Sequence, residues 1–286
     1  MKNHSHLFGV EKMCKVFKLS KSGYYHWKDR KPSARSVETA EIIREINQIY
    51  GESKGRYGSP KITHELKERG RKVSRPRVAR IMRSQGLRSI VCKKFKVTTT
   101  NSNHRYPVAG NLLNRDFHAS RPGMKWVSDI TYIPTDQGWL YLTIILDLYD
   151  RKIVGWSLST DMTTENTILA AWRMALIHRP VTEPLLFHSD RGVQYASYAF
   201  TDELKSSNVT QSMSRKGNCW DNAVAENFFK ILKSELIKHT KFHSLLQARN
   251  ETFEFIEVWY NRKRKHANLG FKTPVQFGEI NYSKCA

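Results

Sequence analysis

Three carboxylates far apart in the chain, Asp129, Asp190 and Glu226, are the residues whose types and settings point to chemistry. Asp129 stands inside the strand-like run WVSDITYI (126–133), with Val127 and Ile133 on its own side. A carboxylate at a partly buried sheet position is costly unless a cation, an arginine or a lysine answers it. Asp190 follows the apolar run LLFHS (185–189), so it emerges at a strand's C-terminal end, where crossover sheets present ligand groups. Glu226 falls on the helical run NAVAENFFKILKSEL, with Lys230 and Lys233 four and seven residues further on. The apolar stripe of that helix, Val224, Phe228, Ile231 and Leu232, points largely elsewhere, so Glu226 faces a basic surface.

Taken singly, each acid has an ordinary reading: a structural salt bridge, a loop cap, an i,i+4 pair with Lys230. Taken together they are three hard oxygen donors kept at structured positions in a strongly basic domain, a set suited to Mg²⁺ or Mn²⁺. Two such ions about 4 Å apart activate a water or hydroxyl and stabilise the leaving oxygen of a phosphodiester. Asp147 and Asp150, in LDLYDR, are read as a supporting or structural group and a hairpin residue. His188 either orients a ligand or is a satisfied strand-end histidine. The Gly217–Asn222 loop supplies polar groups ahead of the Glu226 helix and is placed to close over a scissile strand.

The elements that must position these groups sit in a chain of 286 residues with 48 Lys+Arg against 26 Asp+Glu, a net charge of +22. Such a surplus repels itself in a compact fold and calls for a polyanion, with double-stranded DNA the first candidate. A hydrophobic content of 40% excludes a disordered basic tail. The longest nearly apolar run, Leu140 to Leu146, is far short of the roughly 20 residues needed to span a bilayer. Four scattered cysteines without a CxxC pair imply neither a disulfide framework nor a zinc ribbon, so a cytoplasmic setting, on the nucleoid when DNA is bound, is expected.

The first third reads as helical. Residues 1–33 form a short segment of two helices, the second capped by Ser20, and residues 34–90 form a helix-turn-helix domain. Ile42, Ile43, Ile46 and Ile49 mark one face of its first helix. In YGSPKITHELKERGRKVSRPRVARIMRSQGL (57–87), Ser59 and Pro60 open one helix, Gly70 closes it, and Ser74 opens another that ends at Gly86. Val78, Ile81 and Met82 form the apolar stripe of the latter, leaving Arg75, Arg77, Arg80 and Arg83 to DNA, as in a reader of the major groove. Residues 91–121 read as a basic linker. Arg262, Lys263 and Arg264, in a dense cationic run near the C-terminus, are candidate phosphate contacts with Lys230 and Lys233.

Over 122–282 the pattern changes to three strands (WVSDITYI, WLYLTIILDLY, KIVGWSLS), a helix over 164–178, the strand LLFHS, a helix near 197–206, the strand VTQSMS, and helices over 222–237 and 245–261. The order βββ-α-β-α-β-α predicts an α/β core: three antiparallel strands beside two reached by crossovers, a mixed five-stranded sheet flanked by helices.

Sixty residues separate Asp129 from Asp190, and 35 separate Asp190 from Glu226. That spacing resembles the DDE triad of retroviral integrases and insertion-sequence transposases. The flanks WVSDITYI, HSDRGVQY (188–195), GNCWDNAVAENFFK (217–230) and YNRKRKHANLGFKTP (260–274) resemble the OrfB transposases of the IS-three family over about residues 20–280. The resemblance implies a ribonuclease-H-like core, catalysis and metal binding by Asp129, Asp190 and Glu226 with two Mg²⁺ or Mn²⁺ ions, and DNA contact at Lys233. It further implies action on element ends and target DNA as a homo-oligomer, and an upstream-frame partner or fusion. Three rival readings remain: a tyrosine recombinase built on the H-x-x-R of His188–Arg191, a purely hydrolytic nuclease of the same fold, and a DNA-binding regulator with an inactive core.

Overall fold

The computed structural model describes residues 1–90 and 106–282. Residues 91–105, most of the expected basic linker, lie outside the described residues. Two compact units result, Met1–Arg88 and Ser89–Ala286.

The first unit is all helical: α1 (Val10–Val16), α2 (Lys21–Lys28), α3 (Ala34–Glu52), α4 (Ser59–Glu68) and α5 (Arg75–Ser84). Ser20 Oγ accepts from the Gly23 amide at 3.0 Å, and Ser33 Oγ caps α3 in the same way at 3.2 Å. Ile42, Ile46 and Ile49 of α3 are buried, as are Ile62 and Leu66 of α4 and Val78, Ile81 and Met82 of α5. The α4 cap is Gly58, with Ser59 already inside the first turn. Pro60 then stands second in the helix, still within the first turn, where its missing amide donor costs no intrahelical hydrogen bond. Gly70 turns the chain out of α4 at a φ of +83°, a conformation open to glycine, and the Arg71 amide closes the turn on the Leu66 carbonyl at 2.9 Å.

The second unit is built on five strands: β1 (Lys125–Thr135), β2 (Gly138–Asp147), β3 (Ile153–Ser159), β4 (Leu185–Ser189) and β5 (Val209–Met213). Their order is β3-β2-β1-β4-β5. The β1–β2 and β2–β3 pairs are antiparallel, the β1–β4 and β4–β5 pairs parallel. This is the mixed sheet that the order of runs predicts. A π-helical turn, Glu165–Leu169, leads into α6 (Ala170–His178); α7 (Val193–Ala196) and α8 (Tyr198–Ser206) join β4 to β5. These helices cover one face through a nest of Trp126, Trp172, Phe187, Tyr195 and Phe200. A Cβ on Gly155 of β3 would lie 2.2 Å from the Ala171 carbonyl, so only glycine lets α6 lie this close to the sheet.

Val127, Ile133 and Ile144 alternate with that face, are fully buried, and stand outside its cluster. Across them lie α9 (Ala223–Glu235) and α10 (Leu245–Phe253), followed after a π-helical stretch, Glu254–Lys263, by α11 (Pro274–Tyr282). The single helix expected over 245–261 thus changes form midway. Trp259, Tyr260 and Asn261 are buried in succession, which in a regular α-helix would spread them over about 200°. The wider π turn narrows that spread. Asn261 then clamps β3, accepting from the Ile153 amide at 3.0 Å and donating to its carbonyl at 3.1 Å. Among the described residues, no helix is long and apolar enough to cross a membrane.

Candidate active site

Parallel pairing of β1 with β4 runs through Trp126–Phe187 to Val127–His188. Asp129 and Asp190 each lie two residues beyond that last pair, along neighbouring strand paths whose spacing in a sheet is about 4.8 Å. Asp129 Oδ1 accepts from the Ile130 amide at 2.8 Å. Asp190 Oδ1 accepts from the Gly192 amide at 2.8 Å, and a Cβ at Gly192 would press to 3.0 Å from that oxygen. Glu226 occupies the first turn of α9, where the exposed end of Lys230 stands 3.7 Å from its Oε2.

Electrostatics tie the three together. Burial pushes the Asp129 carboxyl well above the usual carboxylate range, and the charges of Asp190 and Glu226 push it further, against the pull of Lys233. Glu226 is raised by burial and by Asp190, with Lys230 opposing. Lys233 is lowered by burial, and Asp129 resists the shift; its Nζ lies 5.7 Å over the Tyr132 ring. Among the described residues no three His, Cys, Asp or Glu side chains are gathered tightly enough to hold a metal ion as they stand. The donor set nevertheless fits one in chemistry: hard carboxylate oxygens whose mutual repulsion a divalent cation relieves.

Beneath the aspartates, the buried Tyr195 hydroxyl is 2.9 Å from Ser128 Oγ, and burial with the two nearby acids keeps that phenol protonated. The Asn222 amide donates to the Ser128 carbonyl at 2.9 Å, tying the start of α9 to the residue before Asp129. His188 is fully buried between Ser212 Oγ at 2.8 Å and Ser214 Oγ at 3.1 Å, and burial lowers its pKa to about 4. It is the satisfied strand-end histidine, neutral at physiological pH. Arg191 Nε donates to the Ser214 carbonyl. The H-x-x-R box of a tyrosine recombinase therefore serves the fold.

Asp147 and Asp150 are structural. Arg179 meets Asp147 at 2.5 Å and Asp150 at 2.7 Å, and Asp147 also accepts from the Gly123 amide and the Trp126 indole. Two candidate DNA contacts have other partners. Arg77 makes a two-pronged pair with Glu38 at 3.1 and 3.0 Å, binding α5 to α3, and Arg264 is held by buried Glu235 at 2.9 Å. Both departures have one cause: a partner 39 or 29 residues away in sequence claims the guanidinium. Arg75, Arg80 and Arg83 are exposed, as are Lys230, Arg262 and Lys263.

Residues missed by sequence reasoning surround Asp221. This carboxylate, 0% exposed, accepts from Asn111 Nδ2, from Arg115 Nε, and from the backbone amide, Nε and Nη2 of Arg215, all at 2.8–3.0 Å. These donors hold its pKa far below the usual carboxylate range. The one available signal was an acid between Asn218 and Asn222 and six residues after Arg215, which spacing cannot distinguish from a solvated turn.

Known proteins bear on this arrangement. Integrase core domain models match residues 119–219 and 207–274, and an HTH-like domain model matches residues 38–95. An uncharacterized 31 kDa protein of insertion element IS600 from Shigella sonnei is 42% identical over 274 residues, 96% of this chain and 100% of its own. Transposase InsF of insertion sequence IS3A from Escherichia coli K12 is 39% identical over 286 residues, 98% of each chain. A chain of the simian T-cell lymphotropic virus intasome aligns with a TM-score of 0.48 at 14% identity, covering 82% of this chain and 74% of that one.

With integrase core models spanning the sheet and α9, the molecule falls in the class of DDE polynucleotidyl transferases, enzymes that cut and rejoin DNA strands. At about 40% identity over nearly its full length, the chain belongs to the transposase family of insertion sequence IS3, and its helix-turn-helix unit marks it as DNA-binding.

Proposed function

We propose that Asp129, Asp190 and Glu226 together catalyse strand cleavage and strand transfer at the ends of an insertion sequence, working with two Mg²⁺ or Mn²⁺ ions. The observation that carries this reading is the position of Asp129 and Asp190, each two residues past the last β1–β4 pair, where their charges oppose each other. Bound divalent cations would supply Lewis acidity to the attacking oxygen and to the oxygen that leaves.

The chain's own groups do the remaining work. Asp129 offers its carboxylate oxygens from within β1 and Asp190 from just past the end of the adjacent β4, a rigid base for in-line displacement. Glu226 completes the donor set from α9 after exchanging its exposed contact with Lys230 for the shared site. Lys233, half-buried beside Asp129, which opposes the downward push of burial on its ammonium, faces the phosphate. Asn222 keeps α9 against β1 through the Ser128 carbonyl, so Glu226 approaches along a fixed path. Water attacks first and frees a 3′-hydroxyl; that hydroxyl then attacks a second phosphodiester, with no covalent bond to protein. Arg75, Arg80 and Arg83 contact DNA from α5, while Arg262 and Lys263 add phosphate contacts. Joining two ends calls for more than one copy of the chain on DNA. An upstream-frame product, as partner or fusion, would supply further end recognition.

The test uses a labelled duplex carrying an element end. With Mg²⁺ the protein cuts and joins it, Glu226→Gln does neither, and denaturation releases no protein–DNA adduct. Undiminished joining by Glu226→Gln, or a denaturation-resistant adduct, would overturn the assignment.

A further inference from the structure

Between β5 and α9 the chain puts a large aromatic side chain into solvent beside the candidate site. Trp220 is 68% exposed, while its neighbours Asp221 and Asn222 are buried. Exposed tryptophans occur singly on many surfaces and need no explanation; the setting of this one is what carries an inference.

The loop around it is fastened on both sides of the catalytic aspartates. Asn222 donates to the carbonyl of Ser128, the residue before Asp129. Asp221 accepts from the Arg215 amide at 3.0 Å, and Oγ of the preceding residue, Ser214, lies 3.1 Å from Nε2 of His188, two residues before Asp190. The loop is also held from outside. Asp221 is bound by Arg115, Arg215 and Asn111, and Asn218 Oδ1 accepts from the Trp220 amide at 3.2 Å and from Arg115 Nη2 at 3.1 Å. An indole on a pinned loop gives up little conformational entropy when something stacks on it.

The rim is cationic. The Arg115 and Arg215 side chains keep 45% and 50% of their surface in solvent, and Lys216 is exposed. Against these three positive charges stands the single carboxylate of Asp221. A flat aromatic surface ringed by guanidinium and ammonium groups matches the way single-stranded nucleic acid is held, with bases stacked on rings and phosphates on cations.

We propose that Trp220 is a stacking platform for one unpaired nucleobase of the DNA next to the scissile phosphate, with Arg115, Arg215 and Lys216 holding the flanking phosphates. The proposal rests on the strand-transfer reading for what the DNA is doing there. Its energetic role is to stabilise a base drawn out of the duplex, so that the phosphate beside it can reach the carboxylates; unstacking is costly, least where pairing is already lost.

The test places 2-aminopurine at each position flanking the cut site of an element-end duplex and reads its emission on binding without divalent ions, so that no cutting is needed. At one position the emission should change with wild type and with Trp220→Phe but not with Trp220→Ala. In Mg²⁺, Trp220→Ala should lose about 10-fold or more in joining, with Trp220→Phe close to wild type. Mismatching the terminal base pairs should restore much of the lost rate. Thermal melting of the exposed-site variants should match wild type, which separates stacking from folding. Emission and joining by Trp220→Ala equal to wild type would overturn the proposal. A Trp220-dependent emission change in a wild-type protein that joins no strands would uphold the platform and sink the strand-transfer reading instead.

Discussion

Asp147 and Asp129 stand on adjacent strands, β2 and β1, yet the fold treats their charges in opposite ways. Asp147, with Asp150 beside it, is closed in by Arg179 and by amide and indole donors, which oppose the upward push of burial and of Asp150 on its carboxyl. Asp129 has Asp190 and Glu226 as electrostatic neighbours, and the nearby lysines answer them only in part. One cluster uses its charge to hold the sheet domain together. The other leaves its charge only partly answered at a cost in stability, the usual mark of a site made for a ligand rather than for the fold.

Substitutions in the two clusters should therefore fail differently. Asp190→Asn should lower strand joining by about three orders of magnitude or more, as when one member of a catalytic set acting as a unit is removed, with no loss of stability in urea unfolding because it also relieves repulsion on Asp129. Arg179→Met should do the reverse. Stranding two buried carboxylates should cost about 3–5 kcal/mol in urea unfolding, with joining lost only in proportion to the unfolded fraction. If Arg179→Met were neutral for stability, the contrast between the clusters would vanish.

Asp129→Asn sharpens the comparison further. The folded-state pKa of Asp129 is raised, so its contribution to stability is present below the unfolded value near pH 4 and is lost as pH rises through the folded value. Without metal at neutral pH, Asp129→Asn should thus be more stable than wild type in urea unfolding. The gain should shrink as the solution is acidified toward pH 4, and added Mg²⁺ should raise the melting temperature of wild type only. The smallest effect belongs to Lys230→Gln. Its pair with Glu226 is exposed and lies within one helix, so urea unfolding should move by less than about 0.5 kcal/mol.

Much of this was legible in the sequence because its signals were local. The order of apolar runs was enough for the mixed sheet, and the flanks of Asp129, Asp190 and Glu226 were distinctive enough to point to a family. Partners distant in sequence were not legible. Arg77 lies off the apolar stripe of α5, which reads as free, yet Glu38 takes it; Arg264 sits in a run of cations, yet Glu235 draws it inward. The brace on Asp221 spans 106 and 110 residues to Arg115 and Asn111. Local periodicity says which way a side chain leaves its own helix or strand; it does not say what waits there.

The most direct measurement is Mn²⁺ titration, followed by electron paramagnetic resonance, of the protein bound to an uncut element-end duplex. Wild type should take up two ions per active site, and Asp129→Asn, Asp190→Asn and Glu226→Gln should each bind them more weakly or in smaller number. Titration curves for all three variants that overlay wild type would contradict the assignment of these carboxylates as a shared metal site.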